Sequence, residues 1–153
     1  MTPSTKKYRL GFSRLGFIAS LLPLIPNLLW ILLPPVSSTL HANDSAHPLI
    51  ELVGTVSQSL MFAMLILVVN TRPRATSTKT VLGVVGLICL IGYQASWVWY
   101  FTAPITPALL LMMAVLPSIY FISVGLYLRN YPSLIPAILF ALIHISTTAA
   151  NYL

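Results

Sequence analysis

The sequence predicts an all-α integral membrane protein, with residues 1–153 forming one transmembrane domain of five spanning helices. Three observations predict this class. Hydrophobic residues make up 58% of the chain and charged residues only 7%, against roughly a quarter charged in soluble domains. Apolar runs of about 20 residues, the length that crosses a bilayer, recur along the chain. The eight basic residues also occupy only alternate connections between those runs. A chain of 153 residues has room for one compact bundle.

Each apolar run is long enough to span a bilayer at about 1.5 Å per residue. The first run follows a basic start, as a signal peptide does, but its stretch from Leu15 to Leu33 exceeds the roughly 7–15 residues of a signal core. We therefore expect it to be a helix of the mature protein. The predicted helices cover residues 15–35, 49–69, 81–101, 107–128 and 132–152.

The positive charges predict how the helices are threaded. They precede the first run, or lie in the second or fourth connection: Lys6, Lys7, Arg9, Arg14, Arg72, Arg74, Lys79 and Arg129. Short loops rich in Lys and Arg stay in the cytoplasm, so we expect an N-in, C-out, multi-pass protein of the cell membrane. The net charge of +6 then indicates contact with anionic lipid headgroups of the bilayer and not with nucleic acid.

Prolines interrupt three of the predicted helices. Pro23 and Pro26 lie in the first, Pro117 in the fourth and Pro136 near the start of the fifth. Each proline removes a backbone hydrogen bond and tends to kink the helix. The carbonyls that are freed must find donors inside the protein, because hydrocarbon supplies none.

Polar side chains inside the predicted spans are the candidate site. Asn27, Gln58, Gln94 and His144 lie at one depth, roughly 10–14 Å below the outer surface. Glu51 lies seven residues before Gln58, so two helical turns place both on one face. One interpretation is a polar pocket open to the outside that binds or passes a small molecule. The other is hydrogen bonding between helices as structural contacts.

Two further interpretations of Glu51 and His144 stay open. Together they could form a proton path in a proton-linked transporter or half-transporter, because histidine titrates near neutral pH. Alternatively, Glu51 complements the dipole at the start of its helix, and His144 is a neutral residue that donates to a neighbour.

A third function is that of a structural or accessory subunit of a membrane complex, or of one copy in a homo-oligomer. It requires the amides of Asn27, Gln58 and Gln94 to be hydrogen-bonded within the bundle. It also requires an exposed face of small residues, such as Ala137 and Ala141, for a partner helix.

The sequence carries no pattern typical of an enzyme. It has no nucleophile elbow, zinc-protease motif or Gly-rich phosphate loop. Cys89 is the single cysteine, so neither an intrachain disulfide nor a cysteine metal site can form. His41, Asp44 and His47 lack the close spacing of a metal site. We expect no catalysis, no cofactor and no bound metal.

Two resemblances are present. Residues 93–99 and 143–151 resemble the third and fifth helices of the tryptophan-rich sensory proteins of the translocator family, which bind porphyrins and sterol-like ligands. Residues 51–55, Glu-Leu-Val-Gly-Thr, lack the Trp- and Pro-rich signature expected there, so the family's ligand-binding residues are missing and its function is not carried over. Residues 25–30 and 117–121 resemble small uncharacterised multipass membrane proteins of Gram-positive bacteria, a resemblance that implies no activity.

Overall fold

The structure, a computed structural model, describes residues 7–32, 43, 47–71 and 77–153. The end of the first predicted helix, and His41 and Asp44, lie outside this part of the chain. The predicted all-α class is confirmed, with one short two-stranded ribbon added. The elements are β1 (Tyr8–Leu10), α1 (Arg14–Leu21), α2 (Leu24–Leu32), α3 (Pro48–Leu67), β2 (Val68–Asn70), α4 (Ser77–Thr102), α5 (Pro107–Tyr127) and α6 (Tyr131–Tyr152).

Four helices of the described chain are long and apolar enough to cross a membrane: α3, α4 from Lys79 to Thr102, α5 and α6. The first predicted helix differs from expectation, because it is two helices, α1 and α2, with an angle of 41° between them. The pair passes the same test only when it is taken as one bent span, which would make the fifth. The second predicted helix ends two residues early, because the backbone at Val68 is extended and begins β2.

The bend between α1 and α2 results from the two prolines. Pro23 has no N–H for the carbonyl of Ala19, which instead accepts a hydrogen bond of 2.9 Å from the Tyr120 hydroxyl. Pro26 likewise leaves the carbonyl of Leu22 free, and Gln94 Nε2 donates to it at 2.9 Å. The expectation that these carbonyls find donors within the protein is therefore confirmed for α1 and α2.

The helices pack in a continuous order: α4 on α5, α5 on α6, α6 on α3, and α1 on α3. Small residues make the α6 contacts possible, since Ala137 is 1% exposed and Ala141 is 7% exposed. These two alanines are therefore buried inside the bundle. They do not form the exposed small-residue face that was expected of an accessory subunit.

One end of the bundle, which we name the basic end, is closed by backbone pairing. β1 pairs antiparallel with β2, with Arg9 opposite Val69. The chain after β1 then donates from Gly11 N to Leu67 O and from Ser13 N to Ile66 O. These bonds satisfy carbonyls at the end of α3, where a helix has no partners of its own. The sequence did not predict this ribbon.

Asn130 joins three helices at the basic end. Its side chain is 1% exposed, and Nδ2 donates to the carbonyls of Met64 at 2.6 Å and Val68 at 3.0 Å. Oδ1 accepts from Ser133 N at 3.4 Å and so caps α6. The Asn130 backbone N–H donates to Gly125 O at 2.8 Å and closes the end of α5.

The described cations all belong to this end: Lys7, Arg9, Arg14, Lys79 and Arg129. Glu51 lies in the first turn of α3, at the opposite end of that helix. The described basic residues, which lie in alternate parts of the sequence, are therefore gathered at one end of the bundle, and Glu51 lies at the other end.

We predict that Asn130→Asp destabilises the protein. Aspartate retains an acceptor for Ser133 N but has no N–H for the carbonyl of Val68, and the Met64 carbonyl keeps only its bond from the Val68 backbone N–H. A buried carbonyl left without a donor costs about 1–3 kcal/mol. Chemical unfolding in detergent micelles should show this loss, whereas Asn151→Asp, the same change at an exposed residue whose bond to Asn43 water can replace, should show little. Equal effects would contradict the role of Asn130.

We also predict that Gly16→Ala loosens the contact between α1 and α3. A Cβ at Gly16 would collide with the backbone carbonyl of Leu65, and overpacking of this kind typically costs about 1–3 kcal/mol. Gly11→Ala is the matched control, because its Cβ would meet Val69 Cγ2 at an ordinary 3.6 Å. The midpoint of thermal unfolding should fall for the first variant and stay near wild type for the second.

Candidate functional site

The candidate site is a cavity of about 420 Å³, which we name the large cavity. Its walls are formed by α2, α3, α5 and α6, with Tyr93 contributed by α4. This volume lies within the roughly 300–1,000 Å³ of typical small-molecule sites.

Four of the five predicted site residues line the large cavity: Asn27, Glu51, Gln58 and His144. The α3 residues reach it together because Glu51 and Gln58 are two turns apart on one face. Gly54, between them, permits the approach of α6, since a Cβ there would lie 3.1 Å from Ile143 Cγ2. His144 follows Ile143 directly, so the same close contact brings the imidazole to the cavity.

Three of these residues have no polar partner. No hydrogen bond or ion pair joins the side chain of Glu51, Gln58 or His144 to any residue in the described part of the chain. Glu51 is exposed, and the other two are half-buried. The His144 ring stacks on Phe140, with centroids 5.1 Å apart and 14° between the planes. Because a polar group that is buried without a partner is costly, we expect Gln58 and His144 to contact water or a ligand in the cavity. The Glu51 carboxylate is available to the same water or ligand.

Asn27 has a different environment. Its Nδ2 donates to the carbonyl of Pro23 at 3.1 Å and to the Tyr93 hydroxyl at 3.2 Å. Asn27 and Tyr93 also line a second cavity of about 240 Å³, the small cavity, which Trp97 lines as well. Trp97 is 4% exposed, and its Nε1 has no hydrogen-bond partner in the structure as described. The Asn27–Tyr93 pair therefore lies at the boundary between two adjoining cavities.

Gln94, the fifth predicted site residue, lies apart from the other four. It lines neither cavity, and its amide is engaged by the carbonyl of Leu22. Gln58 and Gln94 are therefore two glutamines at similar predicted depth with different environments. The Gln58 side chain faces the large cavity without a partner. The Gln94 side chain holds the bend between α1 and α2 against α4.

Some cavity residues were not among the predicted site residues. Asn43 lines both cavities; its Nδ2 donates to Thr148 Oγ1 at 3.0 Å, and its Oδ1 accepts from Asn151 Nδ2 at 3.1 Å. The position of Asn43 in a polar connection was a sequence signal that it could belong to a site. Its pairing with α6 could not be predicted, because that pairing depends on the tertiary fold. The aromatic wall of Phe62, Phe121 and Phe140 had no signal, because an aromatic residue in a span is equally compatible with lipid contact.

The charge of the lining is simple. Among the described residues, Glu51 is the one carboxylate that lines the large cavity, and neither Lys nor Arg lines either cavity. No group of three His, Cys, Asp or Glu that could hold a metal ion occurs among the described residues. The lining can therefore offer one negative charge, amide and hydroxyl hydrogen bonds, and aromatic faces.

Comparison of the chain with protein-family models, with curated proteins and with solved structures finds no match in any of the three. The function is therefore argued from the cavity and its residues.

We predict opposite effects for the same substitution at the two glutamines. Gln94→Leu leaves the Leu22 carbonyl without a donor and should reduce the free energy of unfolding by about 1–3 kcal/mol. Gln58→Leu removes an amide that has no partner, so stability should remain within about 0.5 kcal/mol of wild type or increase. Denaturant titration in one detergent compares the pair directly. A larger loss for Gln58→Leu would contradict the assignment.

Proposed function

We propose that the chain is a five-span, N-in, C-out protein of the cell membrane that binds or passes a small molecule through the large cavity. The bent pair α1–α2 supplies the first span, and α3 to α6 supply the other four. The clustering of the described cations at the basic end supports this orientation, because Lys and Arg are retained on the cytoplasmic side. The opposite end, where Glu51 lies, then faces outward.

A single observation carries the binding function. Glu51, Gln58 and His144 line one cavity, and none of their side chains has a hydrogen-bond partner in the described chain. Residues that serve only as contacts between helices would be bonded to each other or to backbone carbonyls, as Gln94 is. Polar groups within membrane spans that face a cavity mark a binding site or pathway.

Proton-linked transport is a second candidate, favoured by Glu51 and His144 lining the same cavity. It requires both residues to titrate during a transport cycle. Simple binding requires only that they contact the ligand. Proteoliposomes loaded with a pH-sensitive dye separate the two: solute-dependent proton movement, lost in His144→Gln, supports coupling, whereas binding with no proton movement excludes it.

The proposed cavity predicts water access from the outer face. In a Cys89→Ala background, single cysteines at positions 58 and 144 should react with a membrane-impermeant thiol reagent added outside right-side-out vesicles. Matched controls are cysteines at Leu60 and Leu142, two residues away on the same helices. Their side chains are 47% and 64% exposed and would face lipid, where the thiolate that reacts does not form readily.

Rapid labelling at positions 58 and 144, with slow labelling at both leucine positions, is the expected pattern. Protection of positions 58 and 144 in variants that retain the wild-type unfolding midpoint would overturn the outward-open cavity. Labelling from the inside alone would overturn the orientation.

A further inference from the structure

We propose that the large cavity selects a small organic cation, an amine with an aromatic or apolar body. This inference rests on the proposed function, since it names the class of ligand that the cavity would take. It is drawn from the sign of the charge in the cavity, from the chemistry of the walls and from the position of the cations elsewhere in the fold.

The electrostatics of the lining favour positive charge. Glu51 contributes a carboxylate, and no Lys or Arg of the described chain lines the cavity. Clefts lined by one sign of charge and bounded by low-dielectric walls concentrate the field and raise the local concentration of the opposite ion. The five described cations lie at the basic end, so they are separated from Glu51 by the length of α3.

The Glu51 carboxylate is free to take a ligand. It has no ion-pair or hydrogen-bond partner in the described chain. An ammonium group would therefore meet a carboxylate that no other described residue neutralises.

The walls suit the body of such a ligand. Phe62, Tyr93, Phe121 and Phe140 all line the large cavity. Aromatic faces attract cations by about 0.5–1 kcal/mol at exposed sites and about 2 kcal/mol or more where water is excluded. The same faces pack against an apolar or aromatic group.

Neutral polar groups complete the site. The Gln58 amide carbonyl can accept a hydrogen bond from an ammonium N–H, and the unprotonated nitrogen of a neutral His144 can do the same. Neither atom has a donor in the structure as described. A carboxylate, acceptors without donors and aromatic walls in one cavity together describe a site for an amine.

Three probes of similar size and different charge test this selectivity: benzylammonium, benzyl alcohol and phenylacetate. The full-length protein is placed in nanodiscs of phosphatidylcholine, whose headgroup has no net charge, so that the bilayer itself does not concentrate the cationic probe. Trp97 lines the adjoining small cavity, so tryptophan emission reports occupancy. We expect benzylammonium to bind about tenfold more tightly than benzyl alcohol, a difference of about 1.4 kcal/mol, and phenylacetate to bind least tightly.

Variants of Glu51 separate charge from shape. Glu51→Gln keeps the size of the side chain and should abolish the preference for benzylammonium over benzyl alcohol. Glu51→Asp keeps the charge and should retain most of the preference for benzylammonium. Unfolding midpoints equal to wild type show that both variants are folded, and the three-probe order in wild type tests the inference without any substitution.

Equal affinities for the three probes in wild type would overturn the inference, as would a preference unchanged by Glu51→Gln, or no binding of benzylammonium. These failures are distinguishable from failure of the proposed function. If the probe experiment fails but positions 58 and 144 are labelled from outside, the outward-open cavity is supported and only the proposed ligand class is wrong. If they are protected, the proposed function itself fails.

Discussion

Two backbone carbonyls without intrahelical partners, at Ala19 and Leu22, determine how α1 and α2 are held against the bundle. Prolines four residues further along remove the N–H groups that would normally satisfy them, and a membrane interior offers no water in exchange. The Tyr120 hydroxyl and the Gln94 amide supply the missing donors at 2.9 Å each. These bonds fix α1 against α5 and the bend against α4, and α2 leaves the bend as one wall of the large cavity.

This requirement divides the polar side chains into two groups. Tyr120 and Gln94 donate to carbonyls that prolines deprive of an N–H, and Asn130 at the basic end donates to the carbonyls of Met64 and Val68. Their loss would expose a buried acceptor, so they maintain the fold. Gln58 and His144 perform no such task in the described chain, and they face a common space. The proposed binding site is therefore made of side chains that the fold does not use, and Glu51 gives the large cavity its charge.

The sequence was sufficient for the long helices and for part of the site. The helices predicted at 107–128 and 132–152 match α5 and α6 within one residue, because hydrophobic length and the capping residues act locally. The helical repeat also placed Glu51 and Gln58 on one face. The sequence could not separate Gln58 from Gln94, since both are amides at one depth and helix rotation is a tertiary property. The β1–β2 ribbon was missed for the same reason: its strands are far apart in sequence.

The central claim is that the chain's two glutamines, Gln58 and Gln94, have opposite functions. Side-chain amide exchange measures this without substitution: protein selectively labelled with ¹⁵N-glutamine in lipid bilayers gives two resonance pairs, and transfer of deuterium from water is followed by solid-state NMR. We predict rapid exchange for Gln58, which faces the large cavity, and strong protection for Gln94, whose N–H is held by the Leu22 carbonyl. Protection of Gln58, or equal exchange of both amides, would contradict the division between fold and binding.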